Sequence, residues 1–305
     1  MKCYVMGYIK KQQPTCSGEN LLFKLIESAL SKRLTFVDSK SAANLILVMP
    51  YMDSSWFERK GLIRLLFHKK GQEKKTIQKI FGINNNQKIL AISYENLDHR
   101  SWYGFGKILR LLDVPRLTFW PKQIDPSGCR FPYWWHYVDF KNYPLDDGVY
   151  ERYGRPLSLT QLMRPINVDG VRKRKNAICA LTNHLRWPRG EQLDFLREFI
   201  DVDSFRKGSE LSWDGNKYDL LTSYKYNFAA ENSIGYGYET EKLPEAWCSG
   251  AIPVGYFKNP FSDFNPNLNF SNVLLDHTSL LKHPLILTEP NLGEVISYIR
   301  SRIGS

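Results

Sequence analysis

Short apolar runs alternate with amphipathic stretches at the start of this chain and again in its second half, and few folds accommodate that rhythm. Residues 3–9, 34–37, 43–49 and 89–93 suit buried strands. Between them, residues 20–32 place Leu21, Leu22, Leu25, Ile26, Ala29 and Leu30 on one helical face, and residues 75–81 form a shorter helical pattern. The rhythm returns near Lys175, with strands predicted at 176–182, 224–230 and 251–256 and helices at 189–200 and 240–249. A last helix is predicted at 291–302, with Leu292, Val295, Ile296 and Ile299 on one side. Strands separated by helices pair in parallel and are covered by those helices, so the fold class is α/β. Residues 101–170 break the pattern and are dense in Trp, Tyr, Phe, Pro and Gly. Pro156, Pro165 and the basic run 172–175 mark a boundary region. The expected plan is two α/β domains facing across a cleft, residues 1–160 and 161–288, followed by a terminal segment, 289–305.

Composition narrows the class of protein. The chain has 305 residues, 43% hydrophobic and 24% charged, which excludes a disordered chain, a collagen-like fibre and a coiled-coil rod. The longest apolar run, 43–49, is far short of the roughly 20 residues a bilayer span needs, and the first dozen residues lack an apolar signal core. A cytoplasmic location is expected. Five scattered cysteines (Cys3, Cys16, Cys129, Cys179, Cys248) with no CxxC pair read as reduced buried thiols rather than a disulfide or zinc framework. The net charge of +11 points to an anionic partner: nucleic acid, acidic lipid headgroups or a nucleoside diphosphate. The basic runs Arg59-Lys60, Lys69-Lys70, Lys74-Lys75 and 172–175 read either as solvated faces or as binding surface.

The most informative stretch is 224–257. It reads as a strand ending at Glu231-Asn232, a loop with Gly235 and Gly237, a helix and a second strand. The glycines allow a sharp turn and a close approach of backbone to a ligand. Thr240 is placed to cap the helix, and Pro244 sits in its first turn. A loop feeding a helix N-terminus offers free N–H groups and the positive end of the dipole to an anion. Lys242 adds a full charge there, while Glu231 and Glu241 are acceptors suited to sugar hydroxyls. Neither GxGxxG nor GxxxxGK[ST] is present, so the dinucleotide and P-loop fingerprints are excluded.

Glu231-Asn232-Ser233, Gly235-Tyr236-Gly237-Tyr238, Thr240-Glu241-Lys242, Ala246 and Ile252-Pro253 closely resemble the signature of the α-1,3-fucosyltransferases, glycosyltransferase family ten. Asp263-Phe264-Asn265-Pro266 resembles its bacterial members, and the resemblance is firm over 223–266. Leu181-Thr182-Asn183, Arg189 and Val202-Asp203-Ser204-Phe205 resemble a second family segment. Ser93-Tyr94-Glu95-Asn96 is similar to the segment carrying the family's catalytic glutamate. The resemblance implies a GT-B fold, two Rossmann-like domains facing across a cleft, with the nucleotide held by the C-terminal one and the last helix packing back on the N-terminal one. It implies transfer of L-fucose from GDP-β-L-fucose to a hydroxyl, such as O3 of GlcNAc or Glc in a bacterial glycan, with inversion to an α linkage. No cofactor is then needed, since GDP-fucose is a substrate.

By the resemblance Glu95 is the general base, against the alternative of a solvated or salt-bridged side chain after a strand. Leu97-Asp98-His99 departs from the family's shorter turn, so Asp98 or His99 competes to share the role. Arg189 and Lys242 are expected on the pyrophosphate, Arg186 being the competitor of Arg189. Glu241 is assigned to donor hydroxyls or the anomeric centre, with Asn232, Tyr238 and Asn183 around the nucleotide-sugar; Glu231 is counted with them for its nearness but reads, like Lys225, more readily as structural. Asp201-Val202-Asp203 has the form of a metal–diphosphate triplet but lies at a strand after a helix and is read as structural, so no metal is expected. The aromatic run 131–140 is either sugar-stacking surface or core, the latter being preferred. Phe257-Lys258-Asn259-Pro260 departs from the family, which weakens the donor sugar more than the nucleotide: another GDP-sugar is the near alternative. A basic nucleic-acid-binding protein and an inactive lectin are the remote ones. The charge also suits peripheral attachment at the inner face of an anionic membrane, although no anchor helix is evident.

Overall fold

The computed structural model describes residues 1–7, 21–50, 71–143, 153–206, 211, 213–257, 262–270 and 273–304. Cys16, the pairs Arg59-Lys60 and Lys69-Lys70, and Lys258-Asn259-Pro260 lie outside the described residues. The chain forms two compact units, Met1–Pro132 with Asn291–Ser305, and Tyr133–Pro290. Residues 133–160, assigned to the N-terminal domain from sequence, cluster with the second unit.

The first unit runs β1 (Lys2–Met6), α1 (Leu21–Leu30), β2 (Thr35–Phe36), β3 (Leu45–Val48), α2 (Glu73–Phe81), β4 (Lys88–Ser93), α3 (Tyr103–Leu111), β5 (Arg116–Thr118) and β6 (Cys129–Arg130). Its sheet has the order β2-β1-β3-β4-β5-β6, with every pairing parallel. All of β3 and nearly all of β4 is buried, as expected of strands covered on both faces. The predicted face of α1 is the buried one, through Leu21, Leu22, Leu25, Ile26 and Ala29. The strand–helix rhythm does not stop at residue 101: α3, β5 and β6 extend it to 130. These elements escape sequence reading because α3 carries Gly104 and Gly106, and strands this short show no periodicity.

The terminal helix, Leu292–Ile303, is capped by Asn291, whose side chain accepts from the Glu294 N–H at 3.1 Å. It buries Val295, Ile299 and Ile303 and packs against α1 in the first unit. Tyr298 fastens it there, its hydroxyl accepting from the Arg116 N–H at 3.0 Å and donating to the Ser127 carbonyl at 3.1 Å. The guanidinium of Arg116 is itself buried against Asp125 (2.8 Å from Nε) and donates to the Leu109 and Val114 carbonyls.

The second unit opens on a 3₁₀ turn, Tyr133–Tyr137, and continues through α4 (Leu159–Leu162), α5 (Val168–Arg172), β7 (Lys175–Leu181), α6 (Arg189–Arg197), β8 (Val202–Phe205), α7 (Lys217–Thr222), β9 (Tyr224–Phe228), α8 (Lys242–Ser249), β10 (Ile252–Val254) and α9 (Thr278–Lys282). The sheet order is β10-β9-β7-β8, again all parallel. The chain winds one way from β7 to β8 and the other way from β7 through β9 to β10. In such sheets ligands bind beyond the carboxyl ends of the strands flanking the reversal, here β7 and β9.

Of the basic run, Arg174 donates to the Ser249 carbonyl at 2.9 Å at the end of α8, and Lys175 pairs with Asp203; Arg172 and Lys173 are exposed, as are Lys74 and Lys75 on α2. Cys3, Cys129, Cys179 and Cys248 are free and buried, and burial pushes each thiol up to about 12. Among the described residues no helix is long and apolar enough to cross a membrane.

Candidate functional site

The loops leaving β7 and β9 meet at the winding reversal. Asn183 lies exposed in the bend after β7, and Arg186 farther along is exposed as well. Arg189 differs: it opens α6 directly after the cis peptide Trp187-Pro188, and its side chain is buried. Its Nε donates to the Ala230 carbonyl at 3.1 Å and its Nη1 to the His184 carbonyl at 3.4 Å. A guanidinium held by carbonyls of both loops is fixed in place, so of the two competing arginines Arg189 is the one built into the crevice.

The second loop delivers Lys242. Gly237, at φ 73°, makes the left-handed turn that precedes it; Gly235 is not among the left-handed glycines. The cap position of α8 belongs to Glu241 rather than to Thr240, and no side chain caps the helix. Thr240 is diverted by Glu231, which accepts its N–H at 2.7 Å and its hydroxyl at 2.8 Å. The same carboxylate accepts from Lys242 Nζ at 3.1 Å, and Lys242 also donates to Thr240 Oγ1 at 2.5 Å and lies 3.6 Å from Glu241. Glu231 is thus occupied by the chain itself and positions Lys242.

Electrostatics at this helix start are strongly perturbed. Burial alone favours a neutral Lys242, but Glu231 and Glu241 outweigh it and raise its pKa, with Arg189 close enough to oppose them. Burial also favours a neutral Glu241, yet Lys242, Lys217, its own backbone N–H and Thr240 bring its carboxyl down to about 2. Two fixed cations whose charges repel one another, beside the uncapped N–H groups of α8, form a site whose natural complement is a phosphate.

Next to these groups is a pocket of about 60 Å³ lined by Glu231, Tyr238, Pro188, Gln192, Tyr256 and Phe264, among others. Tyr238 is buried in its wall, whereas Asn232 is exposed and not part of the lining. Glu239, also in the lining, accepts the Asp263 N–H at 3.1 Å, and Asn265 is bound to the Leu285 and Pro284 carbonyls, which seats the Asp263–Pro266 motif at the pocket.

Sequence reasoning overlooked Gln192, Glu239, Lys217 and Glu245. Gln192 fixes the far wall by accepting the Tyr256 N–H at 2.8 Å. Glu245 carried a legible signal: an acid one helical turn after Glu241, within an otherwise apolar run. The Asp203 carboxylate of the DxD triplet is engaged by Lys175 and by the Tyr224 hydroxyl (2.5 Å), and these bonds overcome its desolvation and lower its pKa. Trp134, Trp135 and His136 are buried, the core reading of the aromatic run, while the half-buried Tyr133 and Tyr137 share a hydroxyl contact of 2.5 Å.

Glu95 belongs to the first unit, half-buried just beyond the carboxyl end of β4, its N–H donating to Ser93 Oγ at 3.2 Å. Its two competitors are exposed, and each accepts a hydrogen bond. Asp98 accepts from Trp120 Nε1 at 3.2 Å, and His99 Nδ1 accepts from the Ser101 N–H at 3.3 Å.

Residues 171–282 match the family model described as glycosyltransferase family 10 (fucosyltransferase) C-term. The alpha-(1,3)-fucosyltransferase FucT of Helicobacter pylori is 47% identical over 60 residues, which is 19% of this chain and 12% of that protein. A crystal structure of an alpha1,3-fucosyltransferase aligns over all of this chain and 89% of its own at a TM-score of 0.59 and 18% identity. Structures of an alpha1,3-fucosyltransferase with GDP and with GDP-fucose align over 98% of this chain and 77% of theirs at a TM-score of 0.52, with 18% and 17% identity. The fold is accordingly the GT-B type of the fucosyltransferases. Residues 171–282, which hold Arg189, the Glu231 loop and the start of α8, carry the C-terminal domain of glycosyltransferase family 10, the fucosyltransferases.

Proposed function

We propose that this protein is an inverting α-1,3-fucosyltransferase that moves L-fucose from GDP-β-L-fucose to a hydroxyl of a glycan acceptor, O3 of GlcNAc or Glc. The observation that carries the reading is the fixed pair Arg189 and Lys242 at the sheet's winding reversal, beside a pocket walled by Tyr238. In direct displacement the diphosphate leaves with growing negative charge, and preorganised cations stabilise that charge more in the transition state than in the bound donor. Arg189 presents a planar fork to phosphate oxygens and Lys242 a point charge. Glu241, ionised at the helix start, accepts donor hydroxyls or faces the anomeric carbon, with Asn232 and Asn183 on the rim. Glu95 takes the acceptor proton as the new C–O bond forms. The chain's own cations supply the charge a metal would otherwise bring to the diphosphate, so the reaction runs without one. The net charge of +11 would hold the enzyme at an anionic membrane face where lipid-linked acceptors reside.

Calorimetric titration with GDP, ADP and UDP, with and without EDTA, tests the donor site. GDP alone is expected to bind, at micromolar affinity, unaffected by EDTA and weakened in Arg189→Ala and Lys242→Ala. Selective turnover of another GDP-sugar would keep the fold and chemistry but replace fucose. Indifference to every nucleotide together with salt-sensitive binding of RNA or DNA would replace this reading with the nucleic-acid one.

A further inference from the structure

The first turn of α6 carries a second polar side chain whose partner belongs to another strand. Gln192, one turn after Arg189, is half-buried in the pocket lining, and its Oε1 accepts the Tyr256 N–H at 2.8 Å just beyond the end of β10. A backbone N–H only donates, so the carboxamide oxygen faces Tyr256 and Nε2 is turned away from it. Among the described residues Nε2 has no hydrogen-bond partner. The amide is thus fixed in orientation at one end and presents two unpartnered N–H groups at the other.

Arg189 and Gln192 are close at both ends of their side chains. Three positions apart on a helix, their Cβ atoms are about 5–6 Å from one another. Arg189 Nε is bonded to the Ala230 carbonyl beyond β9, and Gln192 to the residue after Gly255. These anchors are packed together: Gly255 lies so near Ala230 that a Cβ added to it would be 3.2 Å from the Ala230 Cβ. Gly255 also has φ 144°, which a side chain would resist. The ends of β9 and β10 therefore hold the guanidinium and the carboxamide side by side.

We propose that Gln192 is a further donor-binding residue: its Nε2 N–H groups donate to the oxygens of the diphosphate held by Arg189 and Lys242. This rests on the donor-site reading above. Phosphate oxygens carry charge and no proton, so they pair with groups that only donate. The two acids in the pocket lining, Glu231 and Glu239, accept from the chain's own N–H groups and would repel such oxygens. A neutral amide adds hydrogen bonds without setting a third cation beside Arg189 and Lys242, whose charges already oppose one another.

Two substitutions separate contact with the ligand from support of the loop. Gln192→Glu keeps an oxygen for the Tyr256 N–H but puts an anionic oxygen where the N–H groups were, whereas Gln192→Met loses both. The measurement is calorimetric titration with GDP at about 0.5 M salt, where distant charges are screened, alongside thermal midpoints. Gln192→Met is expected to weaken GDP binding about tenfold and Gln192→Glu about 100-fold, although Gln192→Glu keeps the higher thermal midpoint of the two. Inorganic pyrophosphate, the diphosphate without its nucleoside, should give the same order. Should Gln192→Met fail to fold, Gln192→Ala carries the same expectation. A side chain that only supports the loop gives the opposite order, with Gln192→Glu binding like the unaltered protein and Gln192→Met the weaker, and that result overturns the proposal. Equal affinity in all three proteins overturns it as well. An unaltered protein that binds neither GDP nor pyrophosphate removes the donor site and this proposal together, whereas GDP binding with the opposite order removes this proposal alone.

Discussion

The Lys242 ammonium lies 3.1 Å from the Glu231 carboxylate across a loop of eleven positions. That carboxylate also holds the Thr240 N–H and hydroxyl. Glu231 therefore acts on the loop that carries Lys242. Glu231→Ala leaves the buried Thr240 N–H without its acceptor, a loss of about 1–3 kcal/mol in stability. It also releases the ammonium, and GDP affinity is expected to fall about tenfold. Glu231→Gln, which still accepts through its carbonyl oxygen, should recover most of the thermal stability and part of the affinity. Denaturant midpoints and calorimetry on both variants check this, and an unchanged GDP affinity in Glu231→Ala would show that the loop needs no such tie.

Arg189 is fixed by two carbonyl contacts that a lysine cannot reproduce together. Charge-assisted hydrogen bonds contribute about 1.5–3 kcal/mol each, so Arg189→Ala should weaken GDP binding by about 10- to 100-fold. Arg189→Lys keeps the charge but loses the fork and should fall between. Equal affinity in Arg189→Lys and the unaltered protein would mean that charge alone matters. The comparison is a direct titration of the three proteins.

Glu95 lies two positions beyond the carboxyl end of β4, and the neighbouring Asp98 and His99 accept from Trp120 and Ser101. Glu95→Gln should reduce kcat by about 10²–10⁴-fold, the usual contribution of a general base, and leave GDP binding intact because the cations Arg189 and Lys242 are unaltered. Asp98→Asn keeps an acceptor for the Trp120 indole and should lower kcat only slightly. Initial rates with an acceptor and GDP titrations on both variants decide the assignment, and the reverse order of effects would move the base to Asp98.

What could be read from the chain follows from how locally each feature is encoded. The helix over Leu21–Leu30 and the strands β3 and β9 announce themselves by spacing, and the loop from Glu231 to Lys242 by its residue types. Thr240 was misplaced as a cap because Ser and Thr are good caps in general; nothing local reveals that a carboxylate nine positions earlier takes both its donors. Lys217 was passed over for the same reason, since its partner is twenty-eight positions away. Helix α3 and strands β5 and β6 were lost in an aromatic, glycine-containing stretch whose burial is decided by the sheet beside it.

Arg116 and Asp125 form a buried ion pair beneath the terminal helix, with Arg116 also saturating the Leu109 and Val114 carbonyls. Removing one partner strands the other charge, so Arg116→Met should cost about 3–5 kcal/mol. Arg116→Met with Asp125→Leu should recover much of that loss, because two apolar side chains need no desolvation of charge. Urea unfolding of the single and double variants gives the comparison. Similar losses in both would mean that the carbonyl contacts of Arg116, rather than the stranded Asp125, set the cost.

His136 is buried in the 3₁₀ turn, and burial moves its imidazole from 6.5 down to about 3. In the unfolded chain it takes a proton near 6.5, whereas in the folded protein it remains neutral until about 3. Between those values the unfolded state binds more protons, so stability falls as pH drops below 6.5 and the group's contribution levels off near 3. The slope is about 1.4 kcal/mol per pH unit once the unfolded imidazole is mostly charged. Glu241, shifted from 4.5 to about 2, and Asp203, lowered from 3.8, lose their stabilising effect only as pH falls below about 4.5, so they leave the upper part of this window clear. Urea unfolding at about pH 7.5 and about pH 5.5 should therefore show the unaltered protein losing about 1.4 kcal/mol more than His136→Leu. Equal losses in the two proteins would show that the imidazole accepts a proton without leaving the folded state, and that the turn opens to water on acidification.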